Sequence, residues 1–299
     1  MTFWIAASIA AALFQTIRFM LQKHLAQATL SAAGATFARF VYSAPLAVMA
    51  LVLWFALGAS VPMPGASFWA FGAIGGAAQI TATVCTVMLF GRRNFAVGIT
   101  FIKVEVLLTA LIGLVVLGDT LSSQGVIAIV IGVFGVLILS GPLERTGPIW
   151  RRLLSPSAAL GLLAGALFGV SAVSYRGASL EVAATDPLLR ALVTLAAVTT
   201  MQTVAMALWL KVRDPQEIPK VLAAWKTALW IGLTSLGGSF CWFTAFTLQN
   251  AAYVKAVGQI ELIFAIIGSV LFFREKITGR EALGMALLSG SILALVLWI

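Results

Sequence analysis

The sequence predicts an all-α membrane protein of ten transmembrane helices arranged as two inverted five-helix repeats. An extreme apolar composition, ten long apolar runs and a self-similarity at a fixed shift along the chain all point there. Hydrophobic side chains make up 61% of the 299 residues and charged ones 10%, with a mean hydropathy of +1.06. A soluble domain carries about 25% charged residues, so the solvent for this chain is lipid. Ten helices of about 20 residues use roughly 200 residues, and the rest suffices only for short connections, with no room for a soluble domain.

The runs follow one another between polar, glycine or proline breaks. Span 1 covers 3–22. Its opening stretch, MTFWIAASIAAALFQTI, lacks the Lys/Arg start of a cleavable signal peptide and is expected to be retained. Spans 2 and 3 cover 33–57 and 67–90, separated by a Pro/Gly-rich turn. Span 4 (95–117) follows Arg92, Arg93 and Asn94, and span 5 covers 123–140. Spans 6 to 10 cover 157–176, 187–210, 225–248, 252–273 and 281–298. Barrel strands alternate apolar and polar residues over about ten positions, whereas these runs are apolar around the whole circumference.

A net charge of +9 does not mark a nucleic-acid binder, because the basic residues lie between apolar runs rather than on one soluble face. They report orientation instead, since short cytoplasmic loops retain positive charge. The connections after spans 1, 3, 5, 7 and 9 hold thirteen Lys and Arg, from Lys23 through Arg145, Arg151 and Arg152 to Arg280, and the opposite set holds only Arg176. That asymmetry puts both termini outside the cytoplasm.

A shift of 156 residues lays Cys85 on Cys241, Phe90 on Phe246, Asn94 on Asn250, Ala96 on Ala252, Glu105 on Glu261 and Asp119 on Glu275. Near the ends the shift drifts: Leu13-Phe14 meets Leu167-Phe168, and Arg39 meets Arg190. Residues 1–141 and 157–299 then form two repeats joined by a cytoplasmic linker at 142–156. Five spans per half is an odd number, so the second half enters the membrane from the opposite side. Inverted repeats of this kind are typical of secondary carriers with a site near the midplane.

These features, with Arg39 and Arg190 early in the second span of each half and an acidic turn after the fourth (Gly118-Asp119-Thr120-Leu121 and Arg274-Glu275-Lys276-Ile277-Thr278), make the chain resemble the EamA-type carriers of the drug/metabolite transporter superfamily. The resemblance covers essentially the whole chain. It implies ten helices, a central cavity lined mainly by the first, third and fourth spans of each half, and export of amino acids or related metabolites. Such proteins usually have cytoplasmic termini and few charges in the fourth and ninth spans, and this sequence departs on both points.

Ionisable groups inside spans cost about 2.5–3.5 kcal/mol each on insertion scales and tend to face the bundle interior or a watery cavity. Glu105, Glu261 and Lys103 lie near the middles of spans 4 and 9, and the glutamates are too short to reach water, which makes them the leading site candidates. Lys103 and Glu105 are about 200° apart on a helix, so each needs a partner elsewhere, with Glu261 or a solute group facing Lys103. Lys255 and Gln259 share a face of span 9. Arg18, Arg39, Arg190 and Lys255 lie within roughly two turns of span ends, where snorkelling to the headgroups competes with an interior role. Tyr175, Trp242, Phe101 and Tyr253 are candidates for shaping a pocket or anchoring at the interface, and the interior amides Gln79 and Gln15 need partners. The small-residue faces Gly161-xxx-Gly165-xxx-Gly169 and Gly72-xxx-Gly76 permit close helix approach, sliding or static. The alternative for the charged cluster is a polar lock between the halves.

Cys85 and Cys241, both in apolar segments, read as packing residues, and His24 is the only histidine. With no Walker loop, nucleophile elbow or dinucleotide fingerprint, no enzyme, cofactor or metal is expected. The reading is a secondary carrier in the cytoplasmic membrane for a small polar metabolite, most plausibly an amino acid or related carboxylate, working as monomer or homodimer with protons as the candidate coupling ion. Import of a cofactor precursor or an anionic metabolite is the alternative; a channel, a scaffold or an intramembrane enzyme is more remote.

Overall fold

The computed structural model describes residues 3–58, 60, 63–107, 123–139, 155–249 and 251–298. Among them every regular element is helical. The turn at Gly118-Asp119-Thr120-Leu121, Arg145, Arg151, Arg152, Asn250, most of the 142–156 linker and the second half of span 4 lie outside the described residues.

The chain runs through α1 (Phe3–Ala28), α2 (Ala32–Ala56), α3 (Ala66–Phe90), α4 (Phe95–Ile102) and α5 (Ser123–Leu139). It continues through α6 (Pro156–Glu181), α7 (Pro187–Arg213), the short α8 (Glu217–Ala223), α9 (Trp225–Leu248), α10 (Ala251–Val257), α11 (Glu261–Ile267) and α12 (Gly279–Trp298). Seven helices among the described residues are long and apolar enough to cross a membrane, counting the composite stretch Tyr253–Phe272 as one. Their starts are built from short polar caps. Ser31 accepts the Gly34 N–H at 3.0 Å ahead of α2, and Asp186 accepts the Leu188 N–H at 2.9 Å with Pro187 in the first turn of α7, each satisfying a donor that the helix leaves orphaned. Before α12, the Thr278 and Glu281 side chains each accept the other's backbone N–H, at 3.3 and 2.9 Å, a reciprocal box.

Apolar side chains fill the interior and also cover the exterior. Large apolar side chains such as Met49, Leu53, Leu208, Trp230 and Leu271 are exposed, while Arg18, Arg39, Lys103, Glu105, Gln202 and Glu261 are buried. Contiguous exposed apolar surface on this scale is a lipid-facing surface. α1 packs on α9, α3 on α6, α2 on α7 and α9, and α5 on α12. Cys85 and Cys241 are free thiols, buried and half-buried.

Two expectations are corrected. Spans 4 and 9 are not continuous α-helices: α4 ends at Ile102, and α10 passes through a 3₁₀ turn (Gly258–Ile260) into α11 and then a π turn (Gly268–Phe272). Hydropathy registers an apolar stretch but not the backbone hydrogen-bond pattern inside it. α1 also continues six residues past the predicted end of span 1, because Gln22 and Lys23 are buried with partners of their own rather than starting a solvated loop.

Candidate solute site

The site is built where spans 4 and 9 are interrupted. At the end of α4 the Lys103 N–H reaches the Thr100 carbonyl at 3.1 Å and the Ile99 carbonyl at 3.3 Å, and Val104 N–H bonds the Phe101 carbonyl at 3.4 Å. This is the tight i→i+3 pattern that replaces α-helix at strained or functional places. The matching interruption at Gly258–Ile260 contains Gln259, 156 residues beyond Lys103. Non-helical backbone at membrane depth is tolerated only where protein buries it or a cavity adjoins it.

Each interruption delivers a carboxylate to the other's lysine. Lys103 Nζ lies 2.5 Å from Glu261 Oε2, and Lys255 Nζ lies 3.3 Å from the Glu105 carboxylate. Lys103, Glu105 and Glu261 are each at most 3% exposed. Gln15 on α1 braces the first pair: its Nε2 donates to Glu261 Oε2 at 2.9 Å, and its Oε1 accepts from Trp242 Nε1 at 3.0 Å. The ammonium of Lys255 sits 5.2 Å from the Trp242 ring centre, 5.9 Å from Phe168 and 6.0 Å from Phe246, within range of cation–π attraction. Two ion pairs taken out of water are costly unless closely paired and further supported; Gln15 supports the first pair and the aromatic faces around Lys255 the second.

A neutral polar layer adjoins the charged one. Tyr175 OH donates to Gln79 Oε1 at 3.0 Å, and Gln202 Nε2 reaches the same oxygen at 3.0 Å and the Gly76 carbonyl at 3.1 Å. Each nitrogen of Arg39 reaches a hydroxyl, with Nε to Ser235 at 2.9 Å, Nη1 to Thr83 at 3.1 Å and Nη2 to Ser239 at 3.3 Å. It ties α2, α3 and α9 together, and at 2% exposure it does not snorkel. Neither does Arg18, which is equally buried, nor Lys255, whose head enters the aromatic cage. Arg190 stands apart and donates to the Ala184 carbonyl at 2.5 Å beside the start of α7. Gln259 also stays out of the cluster: it bonds the Lys255 carbonyl at 3.2 Å and lines an apolar hollow. Tyr253 is 53% exposed and Phe101 is packed in the core, so neither shapes the polar centre.

Two small adjoining cavities lie among these groups, about 20 Å³ beside Tyr175, Trp242 and Ser171 and about 10 Å³ beside Lys103, Glu105 and Glu261. Neither has room for more than about one water. Larger hollows of about 470 and 380 Å³ are lined by apolar, partly exposed residues such as Ile263 and Trp209; they carry no charged group and belong to the lipid face. The centre is therefore closed around its ion pairs.

The Lys/Arg-rich end is sealed by Glu275. Its carboxylate accepts from Lys23, from the Phe95 N–H at 2.7 Å and from the Ser269 hydroxyl at 2.5 Å, while Asn94 Nδ2 donates to the Lys276 carbonyl at 3.0 Å. At the other end Arg176 donates to the Phe246 and Gln249 carbonyls. Sequence reasoning missed this latch, together with Gln202, Thr83, Ser235 and Ser239. Glu275 offered a signal as half of the repeated acidic turn, but serine, threonine and glutamine on membrane helices carry no distinguishing pattern.

Glycines decide how closely α6 approaches the break in span 4. A Cβ on Gly165 would lie 2.8 Å from the Ile102 carbonyl oxygen and 3.1 Å from the Glu105 nitrogen, and one on Gly161 would lie 2.6 Å from Phe101 Cβ. Gly165→Ala is expected to displace the Lys103–Glu105 backbone, with a stability cost of about 1–3 kcal/mol and loss of the Lys255–Glu105 contact. Thermal unfolding of the purified variant checks the first effect.

Interior ion pairs at two interrupted helices, inside a bundle with an apolar exterior, belong to a multi-pass membrane protein. Residues 155–297 match the EamA-like transporter family. The second half of the chain is thus an EamA-like unit, of the drug/metabolite transporter kind that the sequence resembles. A solved structure described as "Crystal structure of protein" is similar over 97% of this chain and 99% of its own, with a TM-score of 0.59 and 17% identity, which shows a shared fold. Comparison with curated proteins finds no match.

Proposed function

We propose that the protein is a secondary carrier for a small polar metabolite bearing a carboxylate, most plausibly an amino acid or a relative of one, working by alternating access in the cytoplasmic membrane. The crossed pairs Lys103–Glu261 and Lys255–Glu105 at two equivalent helix interruptions carry this reading. Interrupted helices at the midplane are where transporters place solute and coupling-ion sites. Separating either pair leaves a buried charge that a solute group or a proton must neutralise, which links movement to binding.

In this reading ten spans form two inverted halves, 1–141 and 157–299. The packing pattern supports the duplication: span 1 on span 8 is answered by span 3 on span 6, while spans 2 and 7 pair with each other, as do 5 and 10, which is what exchanging the halves requires. The Lys/Arg-rich end faces the cytoplasm, and the Glu275 latch holds that side shut. Lys23→Ala is expected to open it, raising access of a water-soluble reagent to the interior from that end in oriented vesicles. Family resemblance favours export; the charge-based orientation, opposite to the one usual in the family, favours import of an anionic metabolite as the second reading.

The test is solute counterflow into proteoliposomes with labelled amino acids, organic acids and nucleosides, with and without an imposed pH gradient. Saturable exchange of one class is the expected result. No exchange across the panel by folded protein would overturn the carrier.

A further inference from the structure

The interior charges do not balance. Among the described residues of the bundle interior, Lys103 and Lys255 are matched by Glu261 and Glu105, and Lys23 by Glu275. Arg39 has no carboxylate but has three hydroxyl acceptors. Arg18 has neither: it is 3% exposed, its Nε and Nη2 have no hydrogen-bond partner, and its guanidinium rests 4.4 Å from the ring centre of Phe19. Arg39 repels its charge, and Glu261, which attracts it, is already taken by Lys103 and Gln15. A buried, unpaired guanidinium is among the most costly groups a fold can carry, and retaining one calls for an anion that the described side chains do not supply.

Its position says which anion. Gln15, Arg18 and Gln22 are three and four residues apart and share one face of α1. Gln15 holds Glu261 and lines both central cavities, so Arg18 lies one turn from the ion-pair centre, toward the Glu275 latch. The guanidinium fork presents paired N–H donors that match the two oxygens of a carboxylate.

We infer that Arg18 is the anchor for the carboxylate of the transported solute, a binding residue separate from the Lys103–Glu261 and Lys255–Glu105 pairs. This rests on the carrier reading above. Until solute arrives the Arg18 Nε and Nη2 have no acceptor among the described residues, and the closed centre must widen to admit the ligand. Arg18 thereby favours the loaded state over the empty one, as a carrier needs if it is to move only when occupied.

Thermal unfolding of the purified full-length protein in detergent tests the assignment, with acetate, L-alanine, L-glutamate, succinate or phosphate added against matched sodium chloride. Wild type, Arg18→Met and Arg18→Lys are compared, and counterflow of the same solutes plus an amine and a sugar is measured in parallel. The expected result is that one or more carboxylates raise the wild-type Tm. Arg18→Met should unfold at a higher temperature than wild type without additive, because an uncompensated charge is gone, and should not respond to carboxylates. Arg18→Lys keeps the charge but loses the fork, and its half-saturating concentration should rise about tenfold. An Arg18→Met protein less stable than wild type, or one still stabilised by the same carboxylates, overturns the assignment. So does a wild type responding only to phosphate, or to none of the additives. Counterflow of the amine or sugar by a carboxylate-blind wild type would leave the carrier standing without this site, whereas no flux of any solute would remove the carrier itself.

Discussion

Lys103→Met is expected to abolish counterflow and to destabilise the protein by about 3–5 kcal/mol, the usual consequence of removing one partner of a buried pair. Glu261, 1% exposed and 2.5 Å from the lysine in the native protein, would keep the Gln15 amide as its hydrogen-bond donor among the described residues. The informative variant is the double one. Lys103→Met with Glu261→Gln removes both charges, so stability should return most of the way while transport stays absent. Unfolding measured on the two single variants, the double variant and wild type gives the coupling energy directly. A purely structural lock predicts a different pattern, in which stability and flux recover together.

Glu105→Gln is expected to separate exchange from accumulation. Its partner Lys255 is held by three aromatic faces as well as by the carboxylate, so loss of one charge should leave the cage in place and the protein folded. Solute-for-solute exchange should persist within about tenfold, an allowance of roughly 1.4 kcal/mol. Uphill uptake driven by a pH gradient should be lost, because glutamine cannot accept the proton that neutralises the group when the pair separates. Uptake with imposed gradients of either sign, in Glu105→Gln and Glu261→Gln, measures this. Unchanged gradient dependence in both variants, with normal expression, would leave these carboxylates a structural role alone.

Much of the fold was legible because lipid imposes a simple rule: long apolar runs must be helices, and breaks at Arg92-Arg93-Asn94 or Pro187 mark their ends. The positions of Lys103, Glu105 and Glu261 were legible for the same reason, since charge is too expensive at the midplane to be incidental. The 156-residue self-similarity suggested that spans 4 and 9 meet, and left Glu261 and a solute group both open as the partner of Lys103, which pairs with Glu261. What the sequence hid is local backbone geometry. Nothing between Phe101 and Leu107 announces that the helix stops at Ile102, since Lys103 and Glu105 mark an interior site without fixing the backbone turn, and the close approach of Gly165 there comes from another helix. For Arg18, Arg39 and Lys255 the sequence left snorkelling and an interior role open, because distance to a span end does not tell which way a side chain turns, and all three turn inward. Arg39 turns inward to hydroxyls contributed by two other helices, and hydroxyls scattered over 160 residues have no sequence signature. Gln259, grouped with Lys255 by spacing, bonds that residue's carbonyl and faces away from the charges.

Alternating access is tested most directly by a cysteine at Ser171, a buried residue lining the central cavity, in a chain whose Cys85 and Cys241 are replaced by alanine. Ser171→Cys changes one atom and removes none of the ion pairs. Its reaction with a membrane-impermeant thiol reagent is followed from each side of oriented vesicles. The account predicts labelling from the side opposite the Glu275 latch as the centre opens during exchange, and protection by a transported solute. With Lys23→Ala added, it predicts a shift toward labelling from the Lys/Arg-rich side. Equal, simultaneous labelling from both sides would mean a channel, and no labelling from either side during active exchange would mean that solute does not pass through this centre.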